Sequence, residues 1–191
     1  VKLFDINPAK CEELNAEMLE YLGPNLGKNF EALVPSGENF NEAVKECNLL
    51  VGAVLVAGAR APEVVSEEQV KSMKDGSVLV DVSIDQGGCI WGSRGTSHSE
   101  PVYEIYNKVY CCITNMPGQV SRQSTIALTT ATLPYLRKIA TEGANKLLKE
   151  SLAGDGRFAR GLNTYKGYIT YETVAKDLGM TDLYKDASEL V

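Results

Sequence analysis

V-L-V-D-V-S-I-D-Q-G-G, running from Val78 to Gly88, opens as a buried β-strand and closes on an acid, an amide and two glycines. The apolar part predicts a strand over 77–84. Asp85 then stands where that strand runs out into a glycine turn. Two readings compete. Asp and Gly are ordinary turn residues, and read alone the turn has a small advantage. The other reading puts a ligand at the strand's carboxyl end, where open parallel sheets bind theirs.

Working outward, neighbouring stretches supply the rest of such a sheet. L-L-V-G-A-V-L-V at 49–56 is a continuous apolar run, suited to a strand buried on both faces. V-Y-C-C-I-T at 109–114 is a further strand candidate, and Val1 to Ile6 alternates like a strand. Helical signals lie between them. Pro8 suits the first turn of a helix running to about Tyr21. A short amphipathic helix spans Phe40 to Cys47. Ser66-Glu67-Glu68-Gln69 has capping-box spacing, and V-K-S-M carries that helix on. Residues 22–38 are rich in Gly and Pro and read as loop. Strand alternating with helix is the pattern of a parallel sheet with right-handed crossovers.

From about Ser121 the character changes. Ser121 to Ala140 predicts a long helix with a kink at Pro134, and Asn145 to Leu152 continues helically. Gly154-Asp155-Gly156 is a turn, and Y-K-G-Y-I-T predicts a short strand or hairpin before a small helix. The expected fold is α/β, a partial Rossmann-like doubly wound parallel sheet with C-terminal helices returning to a second domain. The expected division is 1–120 and 121–191.

The totals bound the function. The 191 residues are 44% hydrophobic and 23% charged, an ordinary globular composition. A net charge of −6 with scattered Lys and Arg argues against nucleic acid as the main partner. No apolar run approaches the roughly 20 residues that span a bilayer. Five cysteines without a C-x-x-C pair favour reduced thiols in a cytoplasmic protein over a disulfide frame or zinc site. Adjacent Cys111 and Cys112 read as small core residues. The chain begins V-K-L-F-D-I, already within a strand, so a piece of a longer protein is expected.

Chemistry could sit at four places. Asp5 closes the first strand, where a Rossmann unit carries its ribose-binding acid; the glycine loop would then lie upstream. Read alone, an aspartate there is more often a turn or N-cap residue. In V-G-A-V-L-V-A-G-A at 51–59, Gly52 allows close approach and Gly58 an unusual turn, which serves either a dinucleotide or tight packing. Asp85 beside a nicotinamide could orient a water or take a proton, with two glycines allowing close approach to a ligand. Asn115 in T-N-M-P-G could hydrogen-bond a carboxamide or ribose, or simply close a turn. His98, the single histidine, lies in a polar loop and reads as solvated. There is no metal cluster, no Ser-His-Asp arrangement and no P-loop.

Together these stretches are more specific than each alone. G-A-V-L-V-A-G-A-R-A-P, V-K-S-M-K-D-G-S-V-L-V-D-V-S-I-D-Q-G-G-C, S-R-G-T-S-H-S-E-P, N-M-P-G, S-T-I-A-L-T-T-A-T-L-P-Y and G-L-N-T-Y-K-G closely resemble the alanine dehydrogenase family. The match covers nearly the whole chain. The nicotinamide-binding subunit of proton-translocating transhydrogenase is similar but carries a Glu-containing version of the D-Q-G-G stretch. Departures are Ala57, Gly95 and Ser121, each where the family usually has Pro.

The resemblance implies NAD as cofactor and oxidative deamination of L-alanine to pyruvate and ammonia. It implies an active site in the cleft between two Rossmann-like domains, in a homohexamer. Carried over, Asp5 matches the ribose-binding acid, Lys10 a basic position nearby, and Val54 and Leu55 strand-end contacts. Val82, Ser83, Ile84 and Asp85 match the stretch beside the nicotinamide, with Asp85 the catalytic aspartate. Ile113, Thr114, Asn115 and Met116 match the last cofactor contact, and Ser36 stands best for a cofactor-contacting serine. The family's substrate-binding Arg and Lys and its catalytic His would lie outside this stretch, so this chain alone is expected to be inactive. The competing readings are a non-catalytic NAD(H)-binding module of a transhydrogenase-like subunit, and a remnant that binds nothing.

Overall fold

The structure, a computed structural model, describes residues 1–191. Strand β1 (Lys2–Phe4) leads to Asn7, whose side chain accepts the N–H groups of Ala9 and Lys10 and so caps helix α1 (Pro8–Leu26). That helix breaks at Gly23, where φ is 72°, and Pro24 restarts it. A three-residue strand, β2 (Glu31–Leu33), follows. Ser36 and Asn39 form a reciprocal capping box that starts α2 (Gly37–Glu46). After β3 (Leu49–Gly52), the Ser66–Gln69 box starts α3 (Glu67–Ser72), as the spacing predicts. Next come β4 (Val78–Asp81), β5 (Val102–Ile105) and β6 (Lys108–Cys111). The C-terminal part holds α4 (Ser121–Glu142), α5 (Ala144–Ala153), the hairpin β7 (Thr164–Tyr165) and β8 (Tyr168–Ile169), and α6 (Glu172–Asp177).

Strands β3, β4 and β6 run parallel in the order β3-β4-β6-β5, with β5 antiparallel at one edge. β1 and β2 pair in parallel as a separate ribbon that shares no hydrogen bonds with β3. The ribbon meets the main body through Phe4, whose ring lies edge-on to Phe40 of α2 with centroids 5.1 Å apart.

Register separates the faces of the main sheet. Leu50, Leu79 and Tyr110 are paired neighbours, and they lie on the face where Val44, Val70 and Met73 of α2 and α3 join the core. Leu49, Val51, Val78, Val80, Val109 and Cys111 lie on the opposite face. There Leu49 is 58% and Val51 57% exposed. The expectation that 49–56 is a strand buried on both faces is therefore corrected. The strand ends at Gly52, it is an edge strand, and one of its faces has no cover.

Other expectations also change. The loop read over 22–38 contains β2. Asn15 of α1 donates to the carbonyl of Ala32 and accepts its N–H, at 3.0 and 2.8 Å, and so holds that strand in place. β5 is an additional strand; its Tyr103 pairs with Tyr110 of β6 and stacks on it. The strand expected over 77–84 turns into a 3-10 helix at Val82. The long helix expected from Ser121 is present as α4, with Pro134 inside it. None of its residues is buried. The tail folds back: the Cβ-less Gly58, at φ +77°, leaves room for Tyr171 and Val174, and the N–H of Arg60 donates to Asp177.

At the amino edge of the sheet, Lys108 is buried and its ammonium reaches Asp75 at 2.8 Å. Hydrogen bonds from Lys108 and Asn107 hold the Asp75 carboxyl below its ordinary range. A depressed acid stabilises the fold above its unfolded pKa of about 4 and loses that contribution as pH falls through the folded value. Asp75→Ala leaves the buried ammonium unpartnered and is expected to lower Tm at pH 7, with the deficit vanishing at low pH. Lys108→Met, which keeps the volume and removes the charge, is expected to cost less. A melting series in which Lys108→Met is the worse variant would contradict this account.

Candidate active site at the carboxyl edge of the sheet

Because β3, β4 and β6 are parallel, the residues that follow them come out on one edge. Val54 and Leu55 follow β3, Val82 to Asp85 follow β4, and Ile113 to Met116 lie just beyond β6. Three strand exits expected from the sequence to meet do share this edge. Val54 packs against the core, whereas Leu55 is exposed. The Ser83 hydroxyl donates to the Val54 carbonyl at 2.8 Å and ties two of the exits together. Ser83 and Ile84 are buried, Val82 and Asp85 exposed.

Asp85 is joined to the third exit. The N–H of Asn115 donates to Asp85 Oδ2 at 3.4 Å, a long bond. Asn115 adopts a left-handed conformation, φ 54° and ψ 51°, and starts the 3-10 turn Met116–Val120. Ile113 is buried and bridges in parallel to Thr96, whose carbonyl accepts the N–H of Thr114. His98 follows that bridged segment. A Cβ on Gly118 would lie 3.5 Å from both His98 Nε2 and Asn115 Nδ2, so the loop histidine sits on the rim of this edge.

The two glycines after Asp85 answer a backbone need. Gly87 and Gly88 have φ of +97° and +83°. A Cβ on Gly88 would stand 2.9 Å from Ser93 Cβ and 3.0 Å from Asp81 Oδ2. The bare Cα of Gly88 thus faces the protein, which corrects the expectation that it opens room for a ligand. Gly52 is likewise a packing glycine, since a Cβ there would meet Cys89 Sγ. Burial raises the Cys89 thiol above its ordinary value and keeps it protonated.

The remaining expected residues lie on the β1–β2 ribbon and its helices, away from the three exits in hydrogen bonding. Asp5 directly follows β1; one carboxylate oxygen accepts the N–H of Asn7 at 2.8 Å and the other has no partner. Lys10 pairs with Glu13 at 2.7 Å, and that hydrogen bond raises its pKa. Ser36 Oγ accepts the N–H of Asn39 as an N-cap and keeps its own proton to donate.

Sequence reasoning passed over Asp81. Its carboxylate is wholly buried beneath the Asp85 turn, and it collects donors from Ser83, Cys89, Ile90 and Ser93. One signal was available: an acid at a core-facing position of an apolar strand requires partners to be tolerated. No group of three or more His, Cys, Asp or Glu side chains is placed to hold a metal ion. No helix is long and apolar enough to cross a membrane.

A parallel α/β sheet with an exposed carboxylate and three loops meeting on its carboxyl edge places the chain in the Rossmann-like α/β class. The comparisons narrow this. A family model described as alanine dehydrogenase/PNT, C-terminal domain, matches residues 1–172, and the chain belongs to that family. The alanine dehydrogenase of Bacillus subtilis is 47% identical over 168 residues, covering 87% of this chain and 43% of the relative. That of Methanococcus maripaludis is 45% identical over 180 residues, covering 93% and 47%. A solved L-alanine dehydrogenase superposes with a TM-score of 0.71 at 38% identity, covering 96% of this chain and 46% of that one. A transhydrogenase from Sinorhizobium meliloti, at TM-score 0.60 and 21% identity over 73% of this chain, shares the fold. The chain spans less than half the length of the curated relatives it matches, 43% and 47% in the two cases above.

Proposed function

We propose that this chain is the cofactor-binding part of an NAD-dependent alanine dehydrogenase, which converts L-alanine reversibly to pyruvate and ammonia. The observation that carries the reading is Asp85, exposed on the carboxyl edge and linked to Asn115 across two strand exits. The residues present fit NAD. Asp5 keeps one carboxylate oxygen unengaged at a strand end, as a group accepting ribose hydroxyls requires. Val54, Leu55, Val82 to Ile84 and Ile113 to Met116 would line the nicotinamide side, with Ser36 and Lys10 nearer Asp5.

NAD, when bound, supplies the hydride acceptor for the alanine Cα. Asp85 acts on the water that adds to the substrate imine: it orients that water and carries its proton. A histidine from the rest of the protein serves as acid–base partner, and an Arg and a Lys from there hold the substrate. The exposed face of β3 at Leu49 and Val51 and the unburied α4 support a larger protein that covers them. In that protein 1–120 is the cofactor domain and 121–191 leads to the substrate domain. A cytoplasmic homohexamer completes the proposal, with five unbridged thiols supporting a reducing compartment.

The test is NADH absorbance with time, using the complete protein, NAD and L-alanine. Rising NADH, with little response to other amino acids or to NADP, is the expected result. Protein that binds NADH yet gives no turnover would replace this reading with a transhydrogenase-like NAD(H)-binding module.

A further inference from the structure

We infer that Asp81 is a positioning residue: its buried carboxylate clamps the 82–93 segment so that Asp85 is held at the reacting carbon. This rests on the reading of Asp85 given above.

Asp81 ends β4 with 0% of its surface exposed. Oδ1 accepts the N–H of Ser83 at 3.0 Å and faces the Cys89 thiol at 3.6 Å. Oδ2 accepts the N–H of Cys89 at 2.8 Å, the N–H of Ile90 at 3.1 Å and the Ser93 hydroxyl at 2.6 Å. Every partner is neutral. A carboxylate taken out of water without a cation is expensive, and convergent N–H and O–H donors are what make it tolerable. Those donors come from a short stretch of chain, and they bracket Asp85. Ser83 lies two residues before it, and Cys89 and Ile90 lie four and five after.

The clamp has supports. Ser83 also donates to Val54, fixing the turn to β3. The Tyr103 hydroxyl donates to the Gly92 carbonyl at 2.9 Å and accepts the N–H of Arg94 at 2.8 Å. Tyr110 donates to the Trp91 carbonyl at 2.8 Å, and burial pushes its phenol up to about 12, so it stays a donor. Asp85 itself has only the 3.4 Å contact from Asn115. Its position is therefore set by the backbone that carries it. That backbone is gripped from within by Asp81 and from outside by Ala61, whose N–H donates to the Gln86 carbonyl at 2.9 Å, and by Val64, whose N–H donates to the Cys89 carbonyl at 2.8 Å; only the Asp81 carboxylate joins the residues on both sides of Asp85 to one group.

A purely stabilising Asp81 would change Tm and leave the turnover of folded protein intact. A positioning Asp81 changes kcat well below Tm. The experiment uses the complete protein and two variants. In Asp81→Asn one acceptor oxygen becomes an N–H2 group facing other donors. Ser93→Ala removes one donor and leaves the carboxylate. Expected are a fall in kcat of about 100-fold for Asp81→Asn and about tenfold for Ser93→Ala, with smaller changes in NADH affinity. The primary isotope effect with alanine deuterated at Cα rises in both. Amide exchange by mass spectrometry accelerates over 83–93 and nowhere else in the sheet.

Wild-type kcat in folded Asp81→Asn overturns the proposal. Should that variant fail to fold, wild-type kcat and wild-type exchange in Ser93→Ala overturn it instead. A wild-type protein without alanine turnover would sink the functional reading, and the clamp is then judged on exchange over 83–93, where no acceleration rejects it.

Discussion

Asp85→Asn in the complete protein is expected to lower alanine turnover by about 10²–10⁴-fold, the range general acid–base groups contribute. NADH affinity and Tm are expected to stay close to wild type. The structure gives the reason for that split. Asp85 is exposed, and its one contact is the 3.4 Å bond from Asn115. An amide oxygen can also accept that bond, so the substitution removes the basic oxygen that the proposed role requires and little else. Stopped-flow kinetics beside an NADH fluorescence titration check it. An undiminished kcat would take Asp85 out of the chemistry.

The largest effect on stability is expected at Leu79, which is fully buried in β4 with Leu50 and Tyr110 as its paired neighbours. Val44, Val70 and Met73 belong to the same core cluster. Leu79→Ala removes apolar contact and leaves a cavity that a sheet hydrogen-bonded on both sides cannot close. The cost is about 2–5 kcal/mol. Urea unfolding reads it as a lower midpoint at an unchanged slope. A shift below about 1 kcal/mol would mean that β4 is not the centre of the core, in conflict with its burial.

Much of the architecture is written locally, and particular residues show how. Ser66 and Gln69 announce α3 because a cap needs only groups three residues apart. The apolar runs around Leu50, Leu79 and Tyr110 announce strands because burial selects side chains one by one. The family resemblance adds the identity of the carboxyl-edge residues. β2 escaped because three residues between glycines and prolines carry too little pattern, and Asn15, distant in sequence, holds it. β5 escaped for a similar reason, since its place depends on pairing with β6. Strand ends were overrun at 53–56 and 82–84 because hydrophobicity continues there after the ladder stops. At Val82 the cause is visible: Asp81 captures the N–H of Ser83 and bends the chain into a 3-10 turn.

The alternation of strand and helix, the helix caps, the parallel class of the sheet and the position of Asp85 beyond a strand are legible along the chain. Each depends on side-chain type and spacing within a few residues. The order β3-β4-β6-β5, the separate β1–β2 ribbon, the bare face at Leu49 and Val51, and the burial of Asp81 beside the exposure of Asp85 arise only when distant segments pack together. Both acids follow the same apolar run, and local pattern treats them alike. What separates them is where the donors of Cys89, Ile90 and Ser93 return in space: they enclose Asp81 and leave Asp85 facing outward.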